Sequence, residues 1–415
     1  MKALVPPAMP RWRRQGRRAW GLPRRLRPTM DPSRRQSIAL AVQVFVVNHV
    51  LLTIISLLTS RLFYDVAGQV RGLLPLWERW DVLWYERVAV AGYSWHPPPV
   101  QSDVAFFPLY PLSMHVLSVL TPMSAYVAGL MVTNLSFLGA LYVLHRLVLV
   151  DFDRDVADRT VYYVGIFPTA LFFFTAYSEA LYLLCCVGCI YALRLRRWWP
   201  AGLCGMAATL TRQLGVLLVI PFVVEVLVSW QRPRWTRLWS RLLPALLLPA
   251  GQLAFMAYLQ VRLGNAFLFF RAQAAWDRAL APPWQGVLDD LGRVVHPVTG
   301  FSAHTQGSLQ VQSLLNVAFA LLFVGLVGFG ATKLPWSYTA YGAGVLAAIL
   351  MTPTVGSGQP LALLSIARFE VTIFPPFIVL GLAGRSRPVD RFIIICSVGL
   401  LTLLTIVFVR GKWIA

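Results

Sequence analysis

The stretch IALAVQVFVVNHVLLTIISLLTS, residues 38–60, decides the fold. It holds no charged side chain, and it is longer than the roughly 18 apolar residues that cross a hydrocarbon core as a helix. Its polar pair, Asn48-His49, fits a hydrogen bond between helices better than a ligand site. Comparable runs recur at 241–262, 311–332, 336–354, 371–384 and 392–409. The 415 residues are 57% hydrophobic and 13% charged, with a mean hydropathy of +0.63. Soluble domains carry about twice that charged fraction. The expected fold class is therefore an all-α polytopic membrane protein, with one transmembrane domain over 38–415 and little room for a separate soluble one.

Charge orients the chain. The net charge is +20, and residues 1–37 contribute eleven Lys and Arg against the single acid Asp31. A basic, Pro- and Gly-rich tail beside a span reads as a disordered cytoplasmic tail rather than a nucleic-acid arm. Met30 is an alternative start. With the tail inside, the segment 61–104 emerges outside as the first external loop. Three later basic turns, Arg194 to Arg197, Arg232 to Arg241 and Arg385 to Arg391, then belong inside. Parity makes 161–177, 178–193, 199–211 and 214–230 crossings, the last two short for a bilayer and so tilted, thinned or buried by neighbours. The run 105–120, broken by Pro108 and Pro111, is re-entrant or interfacial, since such backbone is tolerated at membrane depth where it lines a cavity. The count is about eleven spans. The outer face collects 61–104, the Ser178-Glu179 turn, the Arg212-Gln213 turn, a long loop at 263–310, and 355–369.

The first external loop carries the chemistry. Trp77-Glu-Arg-Trp-Asp-Val-Leu-Trp-Tyr85 sets aromatic rings around acids and an arginine. Helical spacing places Trp77, Trp80, Asp81 and Trp84 on one face of an amphipathic helix. An interfacial aromatic belt explains the rings but not the carboxylate among them. A carboxylate on an apolar wall suits general-base work, with Arg79 as its counter-charge. Asp103 is a rival base, while Glu78 and Glu86 face solvent. Asp151-Phe-Asp153 spells a metal-site motif, but it lies in a turn rich in Asp and Arg and reads as a solvated cytoplasmic turn. The five cysteines all lie in apolar runs and read as small core residues. No convincing metal-ligand cluster is present.

Arg79-Trp-Asp81, Trp84-Tyr85, Gly92-Tyr93 and Ala105-Phe-Phe-Pro-Leu-Tyr-Pro111, in this order and spacing, resemble the PIG-V family. That family comprises a mannosyltransferase of GPI-anchor assembly and its bacterial relatives, within the GT-C superfamily of membrane glycosyltransferases. Weaker matches follow at Tyr177-Ser-Glu179, Thr211-Arg-Gln-Leu-Gly215 and Ala367-Arg-Phe369. The resemblance implies a GT-C-like architecture and a polyprenyl- or dolichyl-phosphate sugar donor, mannose first. It also implies a lipid-linked or glycan acceptor, inversion at the anomeric carbon, no cofactor, no metal and no nucleic acid. On the same carry-over Asp81 is the base. Arg212 and Arg368 face the departing phosphate, and Glu179 holds sugar hydroxyls. Arg79, Trp80, Trp84, Tyr85, Phe107, Tyr110 and Gln213 complete the substrate-binding set. A bacterial plasma membrane is the expected location, or the endoplasmic reticulum if the chain is eukaryotic. A transporter or lipid flippase is the competing class, as is a GT-C enzyme using another sugar. A transporter gathers its ionisable groups near the midplane in matched halves, whereas here they gather in external turns.

Overall fold

The computed structural model of the chain describes residues 32–62, 72–229, 235–296, 303–355 and 361–414. The expected basic tail falls largely outside these residues. The described residues are helical, joined by short 3-10 turns, with a single isolated β-bridge between Arg278 and Thr354.

The helices, in chain order, are α1 (Pro32–Leu62), α2 (Asp81–Ala91), α3 (Leu109–Leu120), α4 (Ala125–Asp151) and α5 (Arg154–Ile166). Next come α6 (Glu179–Arg194), α7 (Trp198–Thr211), α8 (Val219–Val228), α9 (Trp235–Leu242) and α10 (Leu247–Leu263). The last are α11 (Leu268–Ala272), α12 (Gln285–Val295), α13 (Ala303–Gly330), α14 (Trp336–Leu350), α15 (Ile366–Glu370), α16 (Pro375–Ala383) and α17 (Arg387–Val409). Among the described residues, five helical stretches are long and apolar enough to cross a membrane: Arg34–Leu62, Ala125–Asp151, Leu238–Leu263, Thr305–Gly330 and Arg387–Val409.

The opening helix shows the reversed polarity of a lipid-facing element. Ile38, Val42, Val46, Val50 and Ile54 are exposed, whereas Asn48 is buried. Its Nδ2 donates to the Gly165 carbonyl at 2.8 Å, and His49 meets the Asn134 side chain at 2.5 Å. The polar pair thus joins α1 to α5 and α4.

The eleven expected spans do not all appear as continuous crossings. Residues 161–177 become the end of α5, a break at Pro168 and a 3-10 turn, Ala170–Phe173. Residues 214–230 become a 3-10 stretch, Gln213–Leu218, followed by α8. Residues 371–384 reduce to α16, which opens on Pro375-Pro376. Each break falls at or beside proline, or where the chain turns to present a side chain. The Pro-broken run after Phe107 forms α3, whose 12 residues are too few to span. Pro111 sits in its first turn, where a missing N–H leaves no intrahelical bond unmade.

Two polar clusters sit at opposite ends of α6. At its C-terminal end Arg194 pairs with Asp151 and, at 2.9 Å, with Glu225. The Tyr338 hydroxyl donates to Asp151 at 2.7 Å and the Ser337 hydroxyl to Glu225 at 2.6 Å. The Asp151-Phe-Asp153 turn is therefore not simply solvated. The Asp151 carboxylate is only 4% exposed, whereas Asp153 caps α5 and pairs with Arg385. The basic turns at Arg194 and Arg385 thus share one end of the molecule. At the other end of α6 stands Glu179.

Candidate active site

Glu179, the first residue of α6, is fully buried. A buried carboxylate requires cationic or hydrogen-bonding partners, and it has two. Arg212 Nη1 donates to its Oε1 at 2.6 Å, and Arg368 Nε donates to the same oxygen. Arg368 also reaches Asp81, with Nη1 to Oδ2 at 2.6 Å. One arginine therefore links a sealed acid to a more open one, since Asp81 is 21% exposed and Glu179 0%. Asp81 opens α2, where the helix dipole favours a carboxylate.

Local backbone sets this geometry. Trp80, just before Asp81, has φ 57 and ψ −119, a conformation that suits glycine and strains a Cβ-bearing residue. Ser365, the cap of the short helix bearing Arg368, has φ 69. Arg212 ends α7, and the chain then folds back so tightly that a Cβ on Gly215 would lie 2.3 Å from the Ala208 carbonyl carbon. Only glycine fits there, so the Thr211-Arg-Gln-Leu-Gly215 turn is a steric device that aims Arg212 across the bundle.

The segment between α5 and α6 works as a clasp. Thr169 donates to the Ala367 carbonyl at 2.8 Å, Thr175 to the Trp77 carbonyl at 2.9 Å, and the Tyr177 hydroxyl to the Arg79 carbonyl at 3.4 Å. The Ser178 hydroxyl meets the Tyr85 hydroxyl at 2.7 Å. The loops carrying Asp81 and Arg368 are thereby tied to the segment that delivers Glu179. Burial, and then the charge of Glu179, push the Tyr85 phenol well above its ordinary range, so it stays protonated and can donate.

Several sequence expectations change here. Arg79 is not the partner of Asp81: its Nε donates to the Leu76 carbonyl at 3.0 Å, and its guanidinium lies against Gly411. Arg368, distant in sequence, takes that place. Trp77, Trp80, Asp81 and Trp84 do not share a helical face, because the helix begins only at Asp81. Trp77 is buried against Phe174 and Phe408, while Trp80 is exposed and meets Trp413 edge-on at 5.5 Å. Trp84 stacks on Phe106. Tyr110 is fully buried, and its hydroxyl donates to the Gly129 carbonyl at 3.0 Å with Thr133 Oγ1 2.8 Å away, so it supports Tyr85 from behind. Phe107 packs between Phe255 and Phe269, away from the ion pairs. Gln213 is exposed at the turn. The rival base Asp103 is fully buried and accepts from the Ser94 amide at 2.8 Å and the Ser94 hydroxyl at 2.7 Å, which commits it to holding the loop. Glu78 and Glu86 interact with each other and are only partly exposed. Burial, and then Glu78, raise the Glu86 carboxyl above its usual range.

Three residues escaped the sequence reading. Trp413 comes from the far end of the chain and stands beside Trp80, Phe172 and Arg368. Arg278, in the long loop after α10, lies 5.3 Å from the Phe369 ring, which Arg212 faces at 4.8 Å. Asp290, fully buried, accepts from the amides of Ala362 at 2.8 Å and Leu363 at 3.0 Å, pinning the segment after α10 to the one before α15. None sits in a recognisable motif, and only the folded chain brings them close. Among the described residues no three His, Cys, Asp or Glu side chains gather within reach of one metal ion.

The family model described as mannosyltransferase (PIG-V) matches residues 40–230, which include Asp81, Glu179 and Arg212. A search of curated proteins gave no match. Among solved structures, the oligosaccharyltransferase of Archaeoglobus fulgidus, solved in complex with zinc and sulfate, is similar at 12% identity with a TM-score of 0.41. The alignment covers 87% of this chain but 52% of that one, so the chain spans about half the length of that protein.

Proposed function

We propose, for a chain whose residues 40–230 bear out the PIG-V resemblance and mark it as a membrane glycosyltransferase, the following reaction. A hexose, mannose first, passes from a polyprenyl-phosphate donor to a hydroxyl of a lipid-linked or glycolipid acceptor, on the non-cytoplasmic side of a bacterial plasma membrane. The observation that carries this reading is the Asp81–Arg368–Glu179–Arg212 chain of ion pairs, in which the outermost carboxylate is also the most exposed.

An alcohol attacks an anomeric carbon far faster when a base takes its proton in the transition state. Asp81 is the acid open enough to do so. The acceptor O–H bond breaks, with its proton passing to Asp81, and the oxygen bonds to C1. The C1–O bond to the phosphate breaks on the opposite face, and its electron pair stays on the phosphate oxygen. Attack from the opposite side inverts that carbon. Proton uptake by Asp81 removes the negative charge that engages Arg368 Nη1. That edge of the guanidinium is freed, its Nε still held by Glu179, as charge develops on the departing phosphate, whose geometry a guanidinium matches. Glu179 stays sealed and fixes both arginines.

The test uses the purified full chain in detergent, labelled polyprenyl-phosphate mannose and a panel of lipid acceptors. Wild type should transfer, and Asp81→Asn should lose at least about 100-fold in kcat, the lower end for a missing general base. Equal transfer by both removes Asp81 as the base. Lipid movement across vesicles without sugar transfer favours a flippase.

A further inference from the structure

Resting on the donor reading above, the charges around Phe369 can be counted. Arg212, Arg278 and Arg368 all lie within 5.7 Å of its ring. Against them stand Glu179 and Asp81. Glu370, next to Phe369 in sequence, is fully buried, and burial holds its carboxyl well above the usual carboxylate range, so it counts as neutral. Arg212 and Arg368 each touch a carboxylate, whereas Arg278 touches none among the described residues. Its Nη1 donates to the Thr352 carbonyl at 3.0 Å and its Nη2 to the Leu364 carbonyl at 2.9 Å. Carbonyls orient a guanidinium but do not neutralise it. These two come from the end of α14 and from the segment before α15, and the β-bridge to Thr354 fixes the backbone between them.

A cation held this way is disfavoured by its surroundings. Burial, then Arg368, then Arg212 push its pKa down to about 10. It remains charged at neutral pH, next to two like charges, with no acid of its own. Arg278 is half-buried, so water reaches part of the side chain, yet a cation set beside two others in such surroundings still gains from a compensating anion. Three arginines against two carboxylates leave one positive charge over, and a phosphodiester monoanion closes that difference, whereas a diphosphate-linked donor brings one negative charge too many.

We propose that Arg278 is the residue that receives the donor's phosphate, ahead of Arg212 and Arg368, whose guanidinium groups are already engaged by carboxylates. In the resting site Arg278 carries the unmatched charge that draws the phosphodiester in. Two anchoring carbonyls leave its Nε–H and one hydrogen on each terminal nitrogen for phosphate oxygens. Arg368 joins after proton transfer to Asp81, when the phosphate becomes a monoester of higher charge.

The experiment compares wild type, Arg278→Gln and Arg278→Lys as purified full-length protein. It measures the KM for polyprenyl-phosphate mannose and kcat. It also measures the affinities for polyprenyl phosphate, for the uncharged polyprenol of equal length, and for phosphatidic acid. For Arg278→Gln the expected result is a rise of at least tenfold in donor KM and in the polyprenyl-phosphate dissociation constant. Polyprenol affinity stays unchanged, and Arg278→Lys falls between the two. Equal loss for polyprenyl phosphate and polyprenol overturns the assignment and leaves Arg278 as a support for the loops. Equal loss for polyprenyl phosphate and phosphatidic acid overturns it in favour of a general phospholipid headgroup site. If Arg278→Gln does not accumulate folded, Arg278→Lys decides: it keeps the charge and loses the guanidinium fork, so unchanged polyprenyl-phosphate affinity with a wild-type melting temperature shows that the guanidinium hydrogens do not hold the phosphate and overturns the assignment. Failure of the donor reading looks different. Wild type would then transfer nothing from polyprenyl-phosphate mannose while Arg278 still governed phosphate binding.

Discussion

Glu179→Gln removes one negative charge from a carboxylate that is 0% exposed, with its partners Arg368 and Arg212 at 5% and 16%. The amide keeps an acceptor oxygen and nearly the same shape, so the loss is electrostatic. Arg368 keeps Asp81, but Arg212 is left with no carboxylate partner among the described residues. Removing one partner of a buried pair costs about 3–5 kcal/mol, because the other charge stays behind. With an unfolding entropy of about 2.1 cal/mol/K per residue, that corresponds to a fall of roughly 3–6 °C in melting temperature for a chain of this length. The assay is thermal unfolding of the detergent-solubilised protein followed by intrinsic tryptophan fluorescence. A second arm adds polyprenyl phosphate at a fixed concentration. An anion that enters beside uncompensated arginines replaces part of the missing charge, so it should raise the melting temperature of Glu179→Gln more than that of wild type. At about 100 times its dissociation constant a ligand contributes about 2.7 kcal/mol, enough to recover most of the deficit. In the double variant Glu179→Gln with Arg212→Gln the losses should fall short of their sum, since the second change removes the orphaned charge. A melting temperature within about 1 °C of wild type, against the drop expected from the buried pair, or equal ligand shifts in both proteins, would refute the reasoning.

Two further outcomes follow from the first loop. Trp80→Gly relieves the backbone at φ 57 but deletes the ring, whereas Trp80→Ala deletes the ring and keeps the strain, worth about 1–3 kcal/mol. If the ring covers substrate, both variants lose transfer alike while the glycine variant melts higher, and wild-type kcat/KM in Trp80→Gly would exclude the ring from the site. The Glu86 carboxyl is raised by burial and then by Glu78. The folded chain therefore holds a proton that the unfolded chain releases, and stability falls as pH rises from the ordinary glutamate value of about 4.3 through the raised one. Glu86→Gln removes that loss, so a melting-temperature difference that does not grow in the variant's favour over that range counts against the pairing.

Much of the site lay in short motifs, because tight turns must be written locally. Arg212 and Gly215 form a turn whose steric demand leaves a glycine in the sequence. Asp81 opens a helix, and Glu179 begins another at the end of a Pro-started loop. Their placement on one face could be argued from the parity of basic turns alone. The partners were harder to read. Sequence proximity suggested Arg79 for Asp81, but a strained Trp80 turned the chain and brought Arg368 there instead. Helical spacing grouped Trp77 with Trp84, yet the helix begins four residues later than that grouping needs. Arg278 and Trp413 bear no local signature, since their partners are backbone carbonyls and rings supplied by distant segments. Asp290 has a local partner in Arg293, three residues on, but the amides it holds together lie more than 70 residues away. Spans broken by proline read as continuous from hydropathy, which is blind to where the backbone turns.

The helix from Glu179 to Arg194 has 16 residues, and at about 1.5 Å per residue it is roughly 24 Å long. A hydrocarbon core is about 30 Å thick. A helix of that length, set with one end at a boundary of such a core, stops several ångströms short of the other. On the proposed reading, with the Arg194 end inside, the floor that Glu179 forms is then a pit sunk into the outer leaflet. A lipid-borne phosphate would reach such a pit by sliding sideways, its tail never leaving oil, while a water-soluble partner would have to climb down from above. That depth would favour reactants that are themselves lipids at both ends of the proposed transfer, and it would keep bulk water, the commonest competing nucleophile, at a distance from the sugar.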